Sequence, residues 1–131
     1  EYVVQKLMWA LNTKGVPIGR SRLLLLGLAY KKDVDDRRES PSLRIMKILS
    51  DAGAEVDYHD PFVPKIGKSR DYPQFAEKES VSLDAVGEYD AVLILTDHSV
   101  FEYAPIVEAA QLVLDTRNAC ADIQSDKIVK A

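Results

Sequence analysis

Three short runs of apolar residues constrain the fold of this chain more than any other feature. They are Arg22–Gly27, Ala91–Thr96 and Gln111–Thr116. Continuous apolar runs of this length are typical of strands that are buried on both faces of a sheet. Segments with helical spacing of apolar residues separate them, so that strands alternate with helices. The alternation predicts an α/β fold of three layers, with right-handed crossovers and a mostly parallel sheet of about five strands.

The segments around these strands predict the remaining elements. Apolar residues at helical spacing predict a helix over residues 1–14. The other expected elements are a helix capped by Ser40 that begins at Pro41 and ends at Gly53, a strand at Ala54–His59, a long surface loop over 62–79, a short strand at Val81–Leu83, a short helix at Asp84–Glu88, a helix at Ala104–Ala110 and a terminal helix from Cys120.

Length and composition limit the classes of function. The chain has 131 residues, enough for one domain, and a formal net charge of −4 without a basic stripe, so nucleic acid is not an expected partner. Its longest apolar run, Leu23–Tyr30, is far shorter than the roughly 20 residues that span a bilayer, so we expect no membrane partner. The single cysteine, Cys120, excludes an internal disulfide framework and favours a cytoplasmic protein.

The first predicted strand leads into a highly charged loop. In sheets of this kind, ligands bind beyond the carboxyl ends of the strands. Tyr30 offers a flat face for stacking, and Lys31 and Arg38 are among four basic side chains that suit a phosphate-bearing ligand. Four acidic residues balance them over residues 31–39, so residue types alone slightly favour a solvated loop of ion pairs.

The other strand ends carry weaker signals. Asp60 lies where a dinucleotide-binding fold has its ribose-binding acid, but the first turn lacks G-x-G-x-x-G, so we interpret Asp60 as the start of a turn that ends the strand. In the sequence TDHS, Asp97 or Ser99 is expected to cap a helix, and His98 is expected to be a polar loop residue rather than a catalytic or metal-binding one. Arg117 either completes a phosphate clamp with Lys31 or pairs with Asp115.

Four segments then resemble a known family in order and spacing. They are LGLAYKKDVDDRRESPS, AEVDYHDPFVP, YDAVLILTDHSVFEY and VLDTRNA. Together they resemble the C-terminal domain of the UDP-glucose/GDP-mannose dehydrogenase family, from residue 22 to about 120. Within the family, TDHSVFEY and DTRNA look most like the UDP-N-acetylglucosamine 6-dehydrogenase branch. The resemblance implies two parts: the end of a central helical segment at 1–20, and a Rossmann-like, UDP-binding domain at 21–131.

The resemblance also implies an activity and site residues. The whole enzyme would oxidise the C6 alcohol of a UDP-sugar, UDP-N-acetylglucosamine or UDP-glucose, to a carboxylate with two NAD per turnover, in the supply of polysaccharide precursors. Tyr30, Lys31 and Arg117 match substrate-binding positions, and Arg38 matches an arginine that reaches NAD. Arg37 departs from the family pattern, which is usually apolar there.

The same resemblance indicates what this chain does not contribute. The family's NAD domain and its catalytic cysteine, in a G-G-S-C motif, have no counterpart here, and Cys120 does not match that motif. We therefore assign no catalytic residue and no metal ligand to this chain, expect it to be inactive alone, and expect NAD to be bound mainly by a preceding domain. The expected partners are a UDP-sugar, that domain and further copies of the full-length protein. Because the family assembles through its central helices, the apolar face of residues 3–11 is expected to lack its native partner and to drive association of the chain.

Two other classes of function stay open at this point. A phosphoacceptor signalling domain of flavodoxin-like build would need a pair of acids directly after the first strand and a lysine after the last, where this chain has Ala29–Lys31 and Arg117. A partner-binding module without a ligand would leave Lys31 and Arg117 pointing apart.

Overall fold

A computed structural model describes residues 2–28, 41–68 and 71–131. Its helices are α1 (Tyr2–Thr13), α2 (Pro41–Asp51) and α3 (Tyr103–Ala109), and its strands are β1 (Arg22–Leu26), β2 (Glu55–His59), β3 (Ala91–Ile94), β4 (Val113–Asp115) and β5 (Ile128–Lys130). The five strands form one parallel sheet in the order β2-β1-β3-β4-β5. The predicted α/β fold is confirmed.

Strand β1 forms the core because its side chains alternate between two apolar layers. Leu23 and Leu25 pack with the buried faces of α1 and α2, whereas Leu24 and Leu26 pack with α3 on the other side of the sheet. All four leucines are fully buried. A strand covered on both faces must be apolar throughout, which explains the continuous run in the sequence.

Helix α1 packs much of its apolar face at 3–11 on its own domain, contrary to expectation, whereas the expected association of the chain stays a prediction. Its buried residues line one side of the helix and join the core beside α2; they are Val4, Leu7, Ala10 and Leu11. Three large apolar residues of the helix, Tyr2, Met8 and Trp9, point to solvent on other sides. Among the described residues, no helix has the length and apolar character needed to cross a bilayer.

Three sequence-based expectations about loops and the tail were also wrong. The segment at 62–79 is not a simple surface loop, because Val63, Ile66 and Phe75 are buried in the α1 and α2 layer. The expected strand at Val81–Leu83 is absent from the described structure, and a 3-10 helix occupies Leu83–Glu88 after a Ser82 cap. The tail forms β5 instead of a helix, because its short apolar end pairs with β4.

Gly27 lets the ends of β1 and β3 approach each other. Its φ is +90°, and its N–H donates to the His59 carbonyl at 2.9 Å. A Cβ at this position would lie 2.5 Å from Cβ of Thr96, just after β3. The positive φ and the close neighbour both require glycine here.

We predict that Gly27→Ala destabilises the domain far more than Gly15→Ala. Gly15 also has a positive φ, +74°, but a Cβ added there would meet no atom within 4 Å, so it isolates the backbone cost. That cost is about 1–2 kcal/mol, and the clash at Gly27 adds about 1–3 kcal/mol of overpacking. Urea unfolding of both variants measures the difference. Equal losses would show that Thr96 does not restrict the position.

Candidate functional site

The carboxyl ends of the parallel strands bring four short segments to one edge of the sheet. Gly27 follows β1, Asp60 follows β2, Leu95 follows β3 and Thr116 follows β4. The chain crosses from β1 to β2 in one direction along the sheet and from β3 to β4 in the other. The point where the strand order reverses therefore lies between β1 and β3, and sheets of this type bind ligands outside the carboxyl ends of the strands at that point.

Asp60 joins three strand ends through one buried carboxylate. Oδ2 accepts the N–H of Leu28 at 2.7 Å, after β1, and the Nε2–H of His98 at 3.0 Å, after β3. Oδ1 accepts the N–H of Phe62 at 2.8 Å, which closes the predicted turn after β2. Asp60 is fully buried, so its carboxylate organises the edge and does not face a ligand.

His98 is a core residue, and its interpretation as a polar loop residue was wrong. The imidazole is fully buried between Phe62 and Phe101, whose ring centroids lie 4.7 Å and 5.3 Å away. A carboxylate oxygen accepts from Nε2, so the Asp60 contact favours the tautomer with hydrogen on that nitrogen. The pair holds the loop after β3 against the turn after β2.

Neither Asp97 nor Ser99 is the N-cap of α3, contrary to prediction. Helix α3 has Glu102 at its N-cap position, without a capping bond from its side chain. Instead, Asp97 Oδ1 accepts the hydroxyl hydrogen of Tyr103 at 2.7 Å. Burial, followed by this hydrogen bond, raises the pKa of Tyr103 above its ordinary value, so the phenol remains a donor.

Asp115 and Arg117 form the most ligand-like part of the described edge. The Asp115 carboxylate is buried and accepts backbone N–H groups, including that of Arg117 at 3.0 Å. The guanidinium does not pair with Asp115; its Nε–H donates to the Leu95 carbonyl at 2.8 Å. Within the described residues its two terminal nitrogens have no hydrogen-bond partner, and the residue is exposed. This open fork suits bidentate binding of a phosphate.

The other residues predicted to bind ligands lie outside the described part of the chain. Tyr30, Lys31, Arg38 and also Arg37 belong to the segment at 29–40, so their roles stay predictions. The distance between Lys31 and Arg117, which would separate a phosphate clamp from a partner-binding module, also lies outside the described residues.

A separate groove of about 380 Å³ lies between α3 and the 3-10 helix at Leu83–Glu88. Its lining is mainly apolar, and its titratable members are His59 and Glu102. Among the described residues no lysine or arginine lines it, so it lacks the fixed cations that a diphosphate needs. The groove therefore does not compete with Arg117 as a phosphate site.

The fold agrees with what comparison with known proteins finds. A family model described as "UDP-glucose/GDP-mannose dehydrogenase family, UDP binding domain" matches residues 24–122. The chain belongs to this family.

Relatives in this dehydrogenase family differ in the sugar named. A UDP-N-acetyl-D-mannosamine dehydrogenase of Methanococcus maripaludis is 30% identical over 126 residues, covering 89% of this chain and 27% of the relative. A UDP-N-acetyl-D-glucosamine 6-dehydrogenase of Pseudomonas aeruginosa is 28% identical over 101 residues, which cover 77% of this chain and 23% of the relative. The crystal structure of an NDP-N-acetyl-D-galactosaminuronic acid dehydrogenase from Methanosarcina mazei matches with a TM-score of 0.76 and 25% identity. The match covers 99% of this chain and 28% of the other. The chain spans about a quarter of the curated relatives' length.

The family match leaves the phosphoacceptor alternative without support. Flavodoxin-like domains have the same strand order as this chain, so strand order alone does not separate a signalling domain from a UDP-binding domain. The sequence after β1 does separate them, because Gly27 and Leu28 continue into Ala29–Lys31 and no pair of acids directly follows the strand.

Asp60, at the position of a ribose-binding acid, has its carboxylate buried among protein donors. Thr96 lies so close to Gly27 that an added Cβ would come within 2.5 Å of its Cβ. The described residues contain no group of three or more histidines, cysteines and acids that could hold a metal ion.

Cys120 is unsuited to act as a nucleophile. The thiol is free and buried. Burial, followed by the charges of Asp115 and Asp97, raises its pKa to about 11 from 9.0. The thiolate is the reactive form of cysteine, so this environment suppresses reactivity.

We predict that Asp60→Asn destabilises the domain by about 1–3 kcal/mol, because an amide leaves buried donors without their carboxylate acceptor. Asp122→Asn is the matched control, since Asp122 is exposed. Urea unfolding of both variants tests this, and an Asp60→Asn midpoint equal to that of the control would contradict the role of Asp60.

We predict that Cys120 reacts with a chromogenic disulfide at pH 8 at least about tenfold more slowly in the native chain than in urea. Folding raises the pKa of Cys120, so the neutral thiol favours the folded state. This contribution to the free energy of unfolding is complete below pH 9 and is lost as the pH rises towards 11. The free energy of unfolding of Cys120→Ala should therefore fall less between pH 8 and pH 11 than that of the wild type. Equal thiol reactivity in both states would contradict this account.

Proposed function

We propose that this chain is the nucleotide-binding domain of an NAD-dependent UDP-sugar 6-dehydrogenase, and that Arg117 binds the diphosphate of the substrate. One observation carries the proposal: the guanidinium lies at the carboxyl edge, held through Nε by the Leu95 carbonyl, with its terminal nitrogens open among the described residues. The family match supplies the chemical class of the ligand.

The arrangement of charges explains why a diphosphate would bind at this position. The acidic groups of Asp60 and Asp115 are buried and engaged by protein donors, whereas the cation of Arg117 is exposed above them. An exposed guanidinium that is already fixed through one nitrogen loses less freedom on binding than a fully mobile one. In the proposed site, Tyr30 stacks on the ligand and Lys31 neutralises a phosphate beside Arg117.

The proposed activity of the whole protein is oxidation of the sugar C6 alcohol to a carboxylate. NAD accepts the hydride when bound, mainly on a preceding domain, and Arg38 is the residue of this chain predicted to reach it. The sugar is UDP-N-acetylglucosamine or UDP-glucose in this proposal; the relatives support a UDP-sugar and carry different sugar names. The division at residues 20 and 21, assembly into homo-oligomers and a cytoplasmic location stay predictions. The purified chain should show no dehydrogenase turnover.

We predict that Arg117→Ala and Lys31→Ala each weaken UDP binding by about 1.5–3 kcal/mol, the range for a hydrogen bond to a charged group. Isothermal titration of the chain with UDP measures this. Arg20→Ala is the matched control, because Arg20 is exposed and lies just before β1, at the opposite edge of the sheet.

Arg117→Lys provides a finer comparison. A lysine keeps the charge but not the planar fork, so we expect an affinity between those of the wild type and Arg117→Ala. If Arg117→Ala binds UDP as tightly as the Arg20→Ala control does, the assignment of Arg117 is wrong; the same result for Lys31→Ala refutes the assignment of the lysine.

A further inference from the structure

The carboxylate of Asp115 closes the loop that follows β4. Oδ1 accepts the N–H groups of Arg117 and Ala119, both at 3.0 Å, and Oδ2 accepts the N–H of Cys120 at 2.8 Å. Asn118, between them, has a φ of +57°, which reverses the chain direction. One buried side chain therefore fixes the backbone on both sides of the turn.

The backbone before the turn is fixed to the neighbouring strand. The N–H of Thr116 donates to the Ile94 carbonyl at 3.3 Å, and the hydroxyl of Thr116 donates to the same oxygen. Asp115 itself is the last residue of β4 and pairs with Ile94. The Cα atom of Arg117 thus has a defined position relative to the end of β3.

The side chain of Arg117 is fixed from a second direction. Its Nε–H donates to the Leu95 carbonyl at 2.8 Å. That carbonyl belongs to a backbone segment held by β1, because the N–H groups of Leu95 and Thr96 donate to the Leu26 carbonyl at 2.9 Å and 3.2 Å. With both the backbone and Nε held, the orientation of the guanidinium plane is restricted before any ligand arrives.

We propose that Asp115 is a positioning residue for the diphosphate: it holds the loop so that Arg117 reaches Leu95 and presents its terminal nitrogens outwards. The proposal rests on the proposed function of Arg117. Asp115 does not touch the ligand in this account, because its oxygens are buried and occupied by backbone donors.

The sign of the effect separates positioning from simple electrostatics. A carboxylate near a bound diphosphate repels it, so removing the charge should tighten UDP binding if Asp115 acts only as a nearby charge. If Asp115 positions Arg117, removing the charge frees the loop and the side chain, and binding should weaken because the ligand must then order both.

A double-mutant cycle tests the proposal. UDP affinity is measured by calorimetry for the wild type, Asp115→Asn, Arg117→Ala and the double variant. Asp122→Asn is the control, because it removes an exposed acid that lies a few residues further along the chain. We expect Asp115→Asn to weaken binding roughly 3- to 10-fold, the cost of ordering one long side chain, in the presence of Arg117 and less than about 2-fold in its absence. Asp122→Asn should bind as the wild type does.

Three results overturn the proposal. If Asp115→Asn tightens binding or leaves it unchanged while Arg117→Ala weakens it, Asp115 is not a positioning residue and the proposed function survives. If Asp115→Asn weakens UDP binding equally with and without Arg117, Asp115 does not act through Arg117. If Arg117→Ala leaves UDP affinity unchanged, both the proposed function of Arg117 and this inference are wrong.

A second measurement does not depend on folding of the Asp115 variant. The Nε–Hε signal of Arg117 is observed by NMR in the ligand-free wild-type chain at about pH 6.5. Positioning predicts that this proton exchanges with solvent more slowly than that of the exposed Arg20, and that it stays protected when UDP is added. Exchange as fast as that of Arg20 would show that the guanidinium is not held in advance.

Discussion

Two buried carboxylates hold the carboxyl edge of the sheet, and the geometry of the candidate site depends on them. Parallel strands end with their loops at one edge, where backbone N–H groups no longer have partners in the sheet. Asp60 satisfies donors after β1, β2 and β3, and Asp115 satisfies donors after β4. Without these acceptors the loops would have to turn to water, and the edge would lose its fixed shape.

The same arrangement separates the charges at the edge. The acids point inwards to protein donors, and the guanidinium of Arg117 lies outside them. The chain has a formal net charge of −4, so its overall charge does not attract an anion. In the proposed site the attraction comes from local geometry, because a guanidinium that is held in advance loses less freedom on binding than a mobile cation.

The strands β1 to β4 and the two long helices were predictable from the sequence because each has a clear period or an apolar run. Strand β5 was not, since Ile128–Lys130 is too short to carry a period and is defined by its pairing with β4. The burial of Val63 and Phe75 also depends on tertiary contacts, because no regular spacing links them.

The site was predictable only in part, for the same physical reason. Arg117 came from its place after the last apolar run and from the family resemblance. Asp60 and His98 are 38 positions apart in the sequence, so no local sequence pattern predicts their hydrogen bond. The sequence also allowed an ion pair of Asp115 with Arg117, but the Asp115 carboxylate accepts hydrogen bonds from three backbone N–H groups instead.

NMR mapping of UDP binding on the isotopically labelled chain tests the proposed diphosphate site directly. A site at the carboxyl edge predicts amide shift changes at Gly27–Leu28, Thr96–His98 and Thr116–Ala119, together with the segment at 29–40. Residues of the groove beside α3 and the exposed side of α1 should not shift. Changes confined to those two regions, or none with UDP at millimolar concentration, would contradict a diphosphate site at the carboxyl edge.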